Sequence, residues 1–244
     1  MIIVVIIIAG AGVTAYFVLS NNSGNDSDDG DDTTPALGGP GLKPNDVLNY
    51  RISVSVYAKS GVVTYDDDKA VNGSFTLKFT PESSGDYTVT FTPDITYDFA
   101  GMEGTLDEVL MFTVSDLDMG EYGNDAADLA DLSELGYTAD EIEKIQALID
   151  KFTTETVTLS TINGSISAEK RSFSFDWSDI MSLMPSGYEE DVGVIEDLIF
   201  TMDMWFGKDI LYKAAFSISI TTAEGTEVEE MTISGAIELI QHQK

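Results

Sequence analysis

The amino-acid sequence predicts an α+β protein, mainly antiparallel β, in which a curved sheet or half-barrel with inserted helices follows an N-terminal transmembrane helix. Three observations lead there. Residues 2–19 carry no charged side chain; from Val47 onward, segments alternate apolar and polar residues one by one; and mid-chain that alternation gives way to spacings of three and four. Period two puts successive side chains on opposite faces of a strand, whereas spacings of three and four line up one side of a helix. The chain divides into an anchor (1–19), a disordered acidic tether rich in Gly, Asp and Ser (20–45) and an extracytoplasmic β-rich domain (46–244).

The anchor reads MIIVVIIIAGAGVTAYFVL. At about 1.5 Å per residue such a helix nearly crosses a hydrocarbon core of roughly 30 Å. Tyr16 and Phe17 stand where an interfacial aromatic belt would lie. A cleaved signal peptide is the competing reading, but its apolar core is usually about 7–15 residues long and follows a Lys or Arg. Here the run is longer and the first base is Lys43. The expected orientation keeps the short N-terminus inside and translocates the domain. In the tether, Asn25, Ser27, Asp29 and Gly30 match the early positions of a calcium loop, but Ala36 stands where a bidentate Glu is required. The run reads as a solvated linker.

The domain opens with Val47 to Tyr57, where Leu48, Tyr50, Ile52, Val54 and Val56 alternate with polar residues, the pattern of a half-buried strand. A turn at Lys59-Ser60-Gly61 leads to a short strand at Val62 to Tyr65, and Asn72-Gly73 reads as a turn dipeptide. Phe75, Leu77 and Phe79, then Tyr87, Val89 and Phe91, form a hairpin about the turn PESSGD. Ile95, Tyr97 and Phe99 continue beyond Pro93, past a bend or edge. Leu106 to Val114 fits strand or helix.

Leu129, Leu132 and Leu135 make one helical stripe. Thr138 to Glu141 forms a capping box ahead of a second stripe, Ile142, Ile145, Ile149 and Phe152. Strands return at Val157 to Thr161, turn at Asn163-Gly164 and continue over Ser165 to Phe175. Two short helices are expected, Ser178 to Met184 and one capped by Ser186 and Glu189 that carries Val192, Ile195 and Ile199. Three strands close the chain: about Phe200 to Phe206, Tyr212 to Ile220, and Met231 to Leu239.

Composition excludes several function classes. With 43 acidic against 12 basic residues the chain carries −31, a field that repels phosphate backbones and excludes nucleic acid as a direct partner. Cysteine is absent, so disulfides and thiolate chemistry are excluded. The single histidine, His242, is third from the end, so a histidine-based triad or zinc site would rest on a frayed tail. Acidic groups at Asp66 to Asp68, Glu189 to Asp191, and Glu227, Glu229 and Glu230 read as solvated faces rather than calcium or hydrolytic sites. No catalytic residue, metal site or cofactor is specified. Asn21, Asn25, Asn72 and Asn163 begin Asn-X-Ser acceptors and are glycosylation candidates on an exterior domain.

The succession of long strands with one apolar face, helices in the middle and a closing strand, hairpin, strand unit resembles the half-barrel lipoprotein carriers of the LolA and LppX type. Met204 to Lys213 (MWFGKDILYK) looks like their hairpin, a Trp-containing strand meeting a Lys-Asp turn. The likeness is architectural, and the chain departs from lipoprotein members in having no cysteine to lipidate. It implies a concave sheet face that encloses an apolar, lipid-like ligand.

The residues that could line such a cavity are Tyr50, Ile52, Val54, Phe75, Leu77, Phe79, Tyr87, Val89 and Phe91, with Ile145 and Ile149 above them; the same stripe serves equally as plain core. Met181, Met184, Met202 and Met204 with Trp177 and Trp205 form a second, adaptable apolar group. The expected function is non-enzymatic: a membrane-anchored domain binding an apolar ligand or an envelope protein partner. The alternatives are a structural or adhesive cell-surface protein with a filled β core, and a pilin-like filament subunit.

Overall fold

The computed structural model describes residues 41–99, 102–114, 138–162, 164–183, 195–208, 210–223, 225–226 and 228–244. The anchor, most of the tether, the Leu129 to Leu135 stripe, Met184, the Ser186 to Val192 segment and Glu227 lie outside the described residues. Among those described, no helix is long and apolar enough to cross a membrane.

The protein is mainly antiparallel β. The ten strands among the described residues are β1 (Val47–Ser60), β2 (Val63–Pro81), β3 (Tyr87–Phe99), β4 (Met102–Leu106), β5 (Leu110–Val114), β6 (Thr153–Thr161), β7 (Gly164–Asp176), β8 (Ile195–Gly207), β9 (Ile210–Thr222) and β10 (Glu230–Gln243). They form one open sheet in the order β4-β3-β2-β1-β10-β9-β8-β7-β6, with β5 also paired to β3. One meander runs outward from β1 and a second runs inward from β6 to β10. The two meet where the first strand pairs with the last, from Val47↔Gln243 to Lys59↔Glu230.

β1 realises its alternation fully: Leu48, Tyr50, Ile52, Val54 and Val56 are buried, and Arg51 between them is exposed. The register carries that face across the sheet, through Ile52↔Ile237, Ile237↔Ala214 and Ala214↔Met204, so the strands share one apolar side. Even positions of β9 and odd positions of β10 lie on it, as their sequence spacing requires.

Three expectations are corrected. Asn72-Gly73 is not a turn: β2 runs unbroken for 19 residues, with a register shift opposite Ser55 rather than a reversal. Gly73 is there because two backbones approach closely, since a Cβ on it would lie 2.2 Å from the Asp94 carbonyl oxygen and 2.7 Å from the Ile95 Cα. Ile195 and Ile199 belong to β8, not to a helix. Their spacing of four suits one helix face, but pairing with β9 makes the segment strand, and a register shift between Ile195 and Asp197 sets Ile195 opposite Thr222 and Ile199 opposite Ser219, on different faces. His242 is not frayed: it ends β10 with its side chain 5% exposed. The ambiguous Leu106 to Val114 forms strand. β4 and β5 keep one register along β3, and their break at Asp107 to Val109 falls opposite Pro93, which has no N–H for a ladder.

The turn near Asn163 pairs Thr161 with Gly164, whose φ of +107° favours glycine. α1 (Ala139–Ile149) begins at the predicted box, with the Ile142 N–H donating to the Thr138 carbonyl. α2 (Trp177–Leu183) is capped reciprocally: Asp176 Oδ1 accepts from the Asp179 N–H at 3.1 Å and Asp179 Oδ2 from the Asp176 N–H at 2.9 Å. Hydrogen bonds from the Ser178 hydroxyl and the Asp179 amide hold the Asp176 carboxyl below its usual range. Lys151, just beyond α1, pairs with Asp179 and ties the two helices together.

Two contacts lock the seam between the first and last strands. Asp46, 2% exposed, accepts from the Lys43 N–H at 3.0 Å, and its Oδ2 lies 2.7 Å from His242 Nε2. Asn45 enters this turn at φ +69°, a conformation asparagine tolerates, and its N–H donates to the Phe79 carbonyl. The Tyr50 hydroxyl donates to the Leu211 carbonyl at 2.9 Å, reaching past β10 to β9.

Burial, with Tyr212 close by, pushes the Tyr50 hydroxyl above its ordinary range. Below about pH 10 both folded and unfolded states hold the proton; above it the unfolded chain ionises first, so stability falls with rising pH through the folded value. Tyr50→Phe is expected to cost about 1 kcal/mol at neutral pH and to flatten the alkaline decline, both read by urea unfolding across pH. Asp46→Ala, which strips the partner from the buried His242 ring and the acceptor from the Lys43 N–H, should cost about 1.5–3 kcal/mol in the same assay. Gly73→Ala forces β2 from β3 and should lower stability by roughly 2–3 kcal/mol, visible as a reduced thermal midpoint.

Candidate functional site

The apolar face is not uniform. Its centre is closed: Tyr50, Ile52, Val54, Phe79 and Val89 are buried, with Met202, Met204, Phe206, Ile210 and Tyr212 beside them in one cluster. Ile210 and Val54 are each 0% exposed. Gly235 lies in this centre because the Phe216 ring occupies the space a Cβ would need, 2.5 Å from its ideal position. Of the predicted lining residues, Phe75, Leu77, Tyr87 and Phe91 are half-buried instead and pack at the edge of that cluster. Ile145 and Ile149 sit on α1, and their side chains lie outside the described residues.

Aromatic rings flank the centre on both sides. On one wing, Phe75 stacks on Tyr50 with centroids 5.0 Å apart and meets Phe91 at 5.4 Å. On the other, Phe173 gathers Phe152 at 4.6 Å, Phe200 at 5.4 Å and Phe175 at 5.5 Å, and Phe175 stacks on Phe200 at 4.9 Å. Phe152, at the foot of α1, is 45% exposed, and α2 packs over β7 and β8 beside it. The alternation of Phe173 and Phe175 was readable in the chain; their meeting with Phe200 depends on the β7–β8 register, Phe175↔Phe200, which sequence spacing does not fix.

A charged pair also stands on this face, beside the aromatic wing of β7. Arg171 and Glu169 lie two apart on β7, opposite Met204 and Phe206, and the Arg171 Nε donates to Glu169 Oε1. The guanidinium also covers the Phe206 ring, 5.0 Å from its centroid. Their side chains are 16% and 22% exposed.

The methionine and tryptophan group divides. Met202 and Met204 are core, whereas Trp205 faces the polar side between Lys170 and Lys213, whose ammonium groups lie 5.5 and 5.1 Å from its ring centroid. Trp177 opens α2 and Met181 follows on the same helix. Of the acidic groups, Asp67 is engaged locally, accepting from the Tyr65 hydroxyl and the Lys69 N–H, and among the described residues none forms a cluster able to hold a metal ion. Asn72 is exposed mid-strand on β2; Asn21, Asn25 and Asn163 lie outside the described residues.

No family model matches the chain, and no curated protein matches it. Solved structures give faint similarities to dehydratase domains. The dehydratase domain of RzxB from Pseudomonas fluorescens aligns at 9% identity over 81% of this chain and 78% of its own, with a TM-score of 0.12. An inactive mutant of the CurJ dehydratase aligns at 8% over 78% and 75%, with a TM-score of 0.12. An N-terminal dehydratase from the difficidin assembly line aligns at 7% over 81% and 78%, with a TM-score of 0.13. Scores of this size establish no common fold.

Proposed function

We propose that this protein is a membrane-anchored, extracytoplasmic, non-enzymatic domain whose sheet curves as a half-barrel and binds an apolar, lipid-like ligand or an envelope partner on its apolar face. The supporting observation is the division of that face into a closed centre and half-buried aromatic wings, with Phe75, Tyr87 and Phe91 on one side and Phe173, Phe175 and Phe200 on the other. Large rings left partly open on a sheet bury further area when an acyl chain lies along them, at about 25 cal/mol per Å² of apolar surface. The resemblance to LolA- and LppX-type carriers points the same way.

A second reading, a structural surface protein with a filled core, draws on the complete burial of Val54, Ala70 and Ile210 at the sheet centre. The two separate by what accompanies the protein. The chain from Asp46 to Lys244, purified from cells and extracted with organic solvent, is expected to release a lipid detected by mass spectrometry. Paired Phe75→Glu and Phe91→Glu changes should lower that loading about tenfold, the equivalent of about 1.4 kcal/mol, with the circular dichroism spectrum unchanged. A lipid-free monomer that also takes up no fluorescent fatty acid leaves the filled-core reading in possession.

A further inference from the structure

Resting on that reading, we infer that the β7–β8 wing binds a zwitterionic amphiphile, with its phosphate and ammonium groups on the Arg171–Glu169 pair and its chain on the rings of Phe173, Phe200 and Phe152. The juxtaposition carries it. Along one face of β7, positions 169 and 171 are charged and positions 173 and 175 are aromatic, so a polar end and an apolar end follow one another within a single strand. Phe152 extends the apolar end toward α1 and is 45% exposed, leaving ring surface open to a chain.

An ion pair on an apolar face is not explained by stability alone. Removing two charges from water costs several kcal/mol per ion, and well-packed apolar residues of similar volume usually serve as well or better. This pair is only partly withdrawn from solvent, at 16% and 22% exposure, and so still fronts accessible space. Its charge selects the head group. Glu169 offsets Arg171, and the chain as a whole carries −31, so a simple anion meets repulsion from both. A head group that is itself a neutral plus–minus pair complements the two side chains in antiparallel fashion, and neither partner need release the other.

The test uses the full chain in lipid nanodiscs, exposed to two photoactivatable probes with the same diazirine-bearing chain: a lysophosphocholine and a free fatty acid. Peptide mass spectrometry maps the crosslinks. The lysophosphocholine is expected to label the β7 and β8 peptides about tenfold more than the fatty acid, and Arg171→Met combined with Glu169→Gln should bring the ratio near one while labelling persists. Equal labelling of the unaltered chain by both probes overturns the inference, and that ratio decides it even if the double variant does not fold. Labelling confined to the Phe75 and Phe91 wing also overturns it, yet leaves ligand binding in place; no labelling of the domain by either probe removes both.

Discussion

The pairing of β1 with β10 is the constraint on which the sheet depends. It joins Val47–Ser60 to Glu230–Gln243, the two ends of the domain, and every other strand hangs from one of those two. Within each meander, strands consecutive in the chain pair with one another, but the union of the two must close a loop of nearly the whole domain before it is rewarded, a slow step for an antiparallel fold. The side chains that reinforce this seam reach across it: Asp46 to His242 at the start of β1, and Tyr50 to Leu211 one strand further on. Both tie residues more than 150 positions apart, so they stabilise the closed sheet without favouring either meander alone.

The apolar face reflects this arrangement. The seam lies in the middle of the strand order, where Leu48, Tyr50, Ile52, Val54 and Val56 of β1 are all buried, and single residues further out, Val89 on β3 and Ala168 on β7, are buried as well. Half-buried rings stand among them on both sides, Phe75 and Phe91 on one and Phe173, Phe175 and Phe200 on the other. The two wings also differ in kind. Phe75 and Phe91 continue a row that ends on Tyr50, whereas Phe173 and Phe200 adjoin a charged pair and two short helices.

Much of this was legible in the chain. β1, the PESSGD hairpin, the Thr138 box, α2 and the closing β9 and β10 each follow from local period or capping residues, and each lies within a few residues of its predicted place. What escaped is non-local. Asn72-Gly73 carries the composition of a turn, and only the approach of Asp94 from β3 explains why the chain runs straight through it. Ile195 and Ile199 stand at helix spacing, and the partner strand β9 makes their segment strand. His242 reads as tail until Asp46, 196 positions earlier, gives it a partner. The candidate site divides in the same way: the alternation identified which residues share a face, but the distinction between core and half-open wing depends on strand order.

The polar face shows how so acidic a chain tolerates one continuous sheet. A single cross-strand row reads Glu155, Lys170, Trp205, Lys213, Glu238, Arg51, each the direct neighbour of the next. Three of the 12 basic residues fall in this row, separated by acids or by an aromatic ring. Lys170 also lies 3.3 Å from Asp203, and it shares the Trp205 ring with Lys213. Exposed pairs of this kind each contribute only tenths of a kcal/mol, but a slip of two residues would part the Glu155–Lys170, Lys213–Glu238 and Glu238–Arg51 neighbours, so the row favours the observed register. Three of these scarce cations thus stand where alignment between strands has to be specified, from the β1–β10 seam across the four strands that follow it, and the apolar face opposite shares the register they favour.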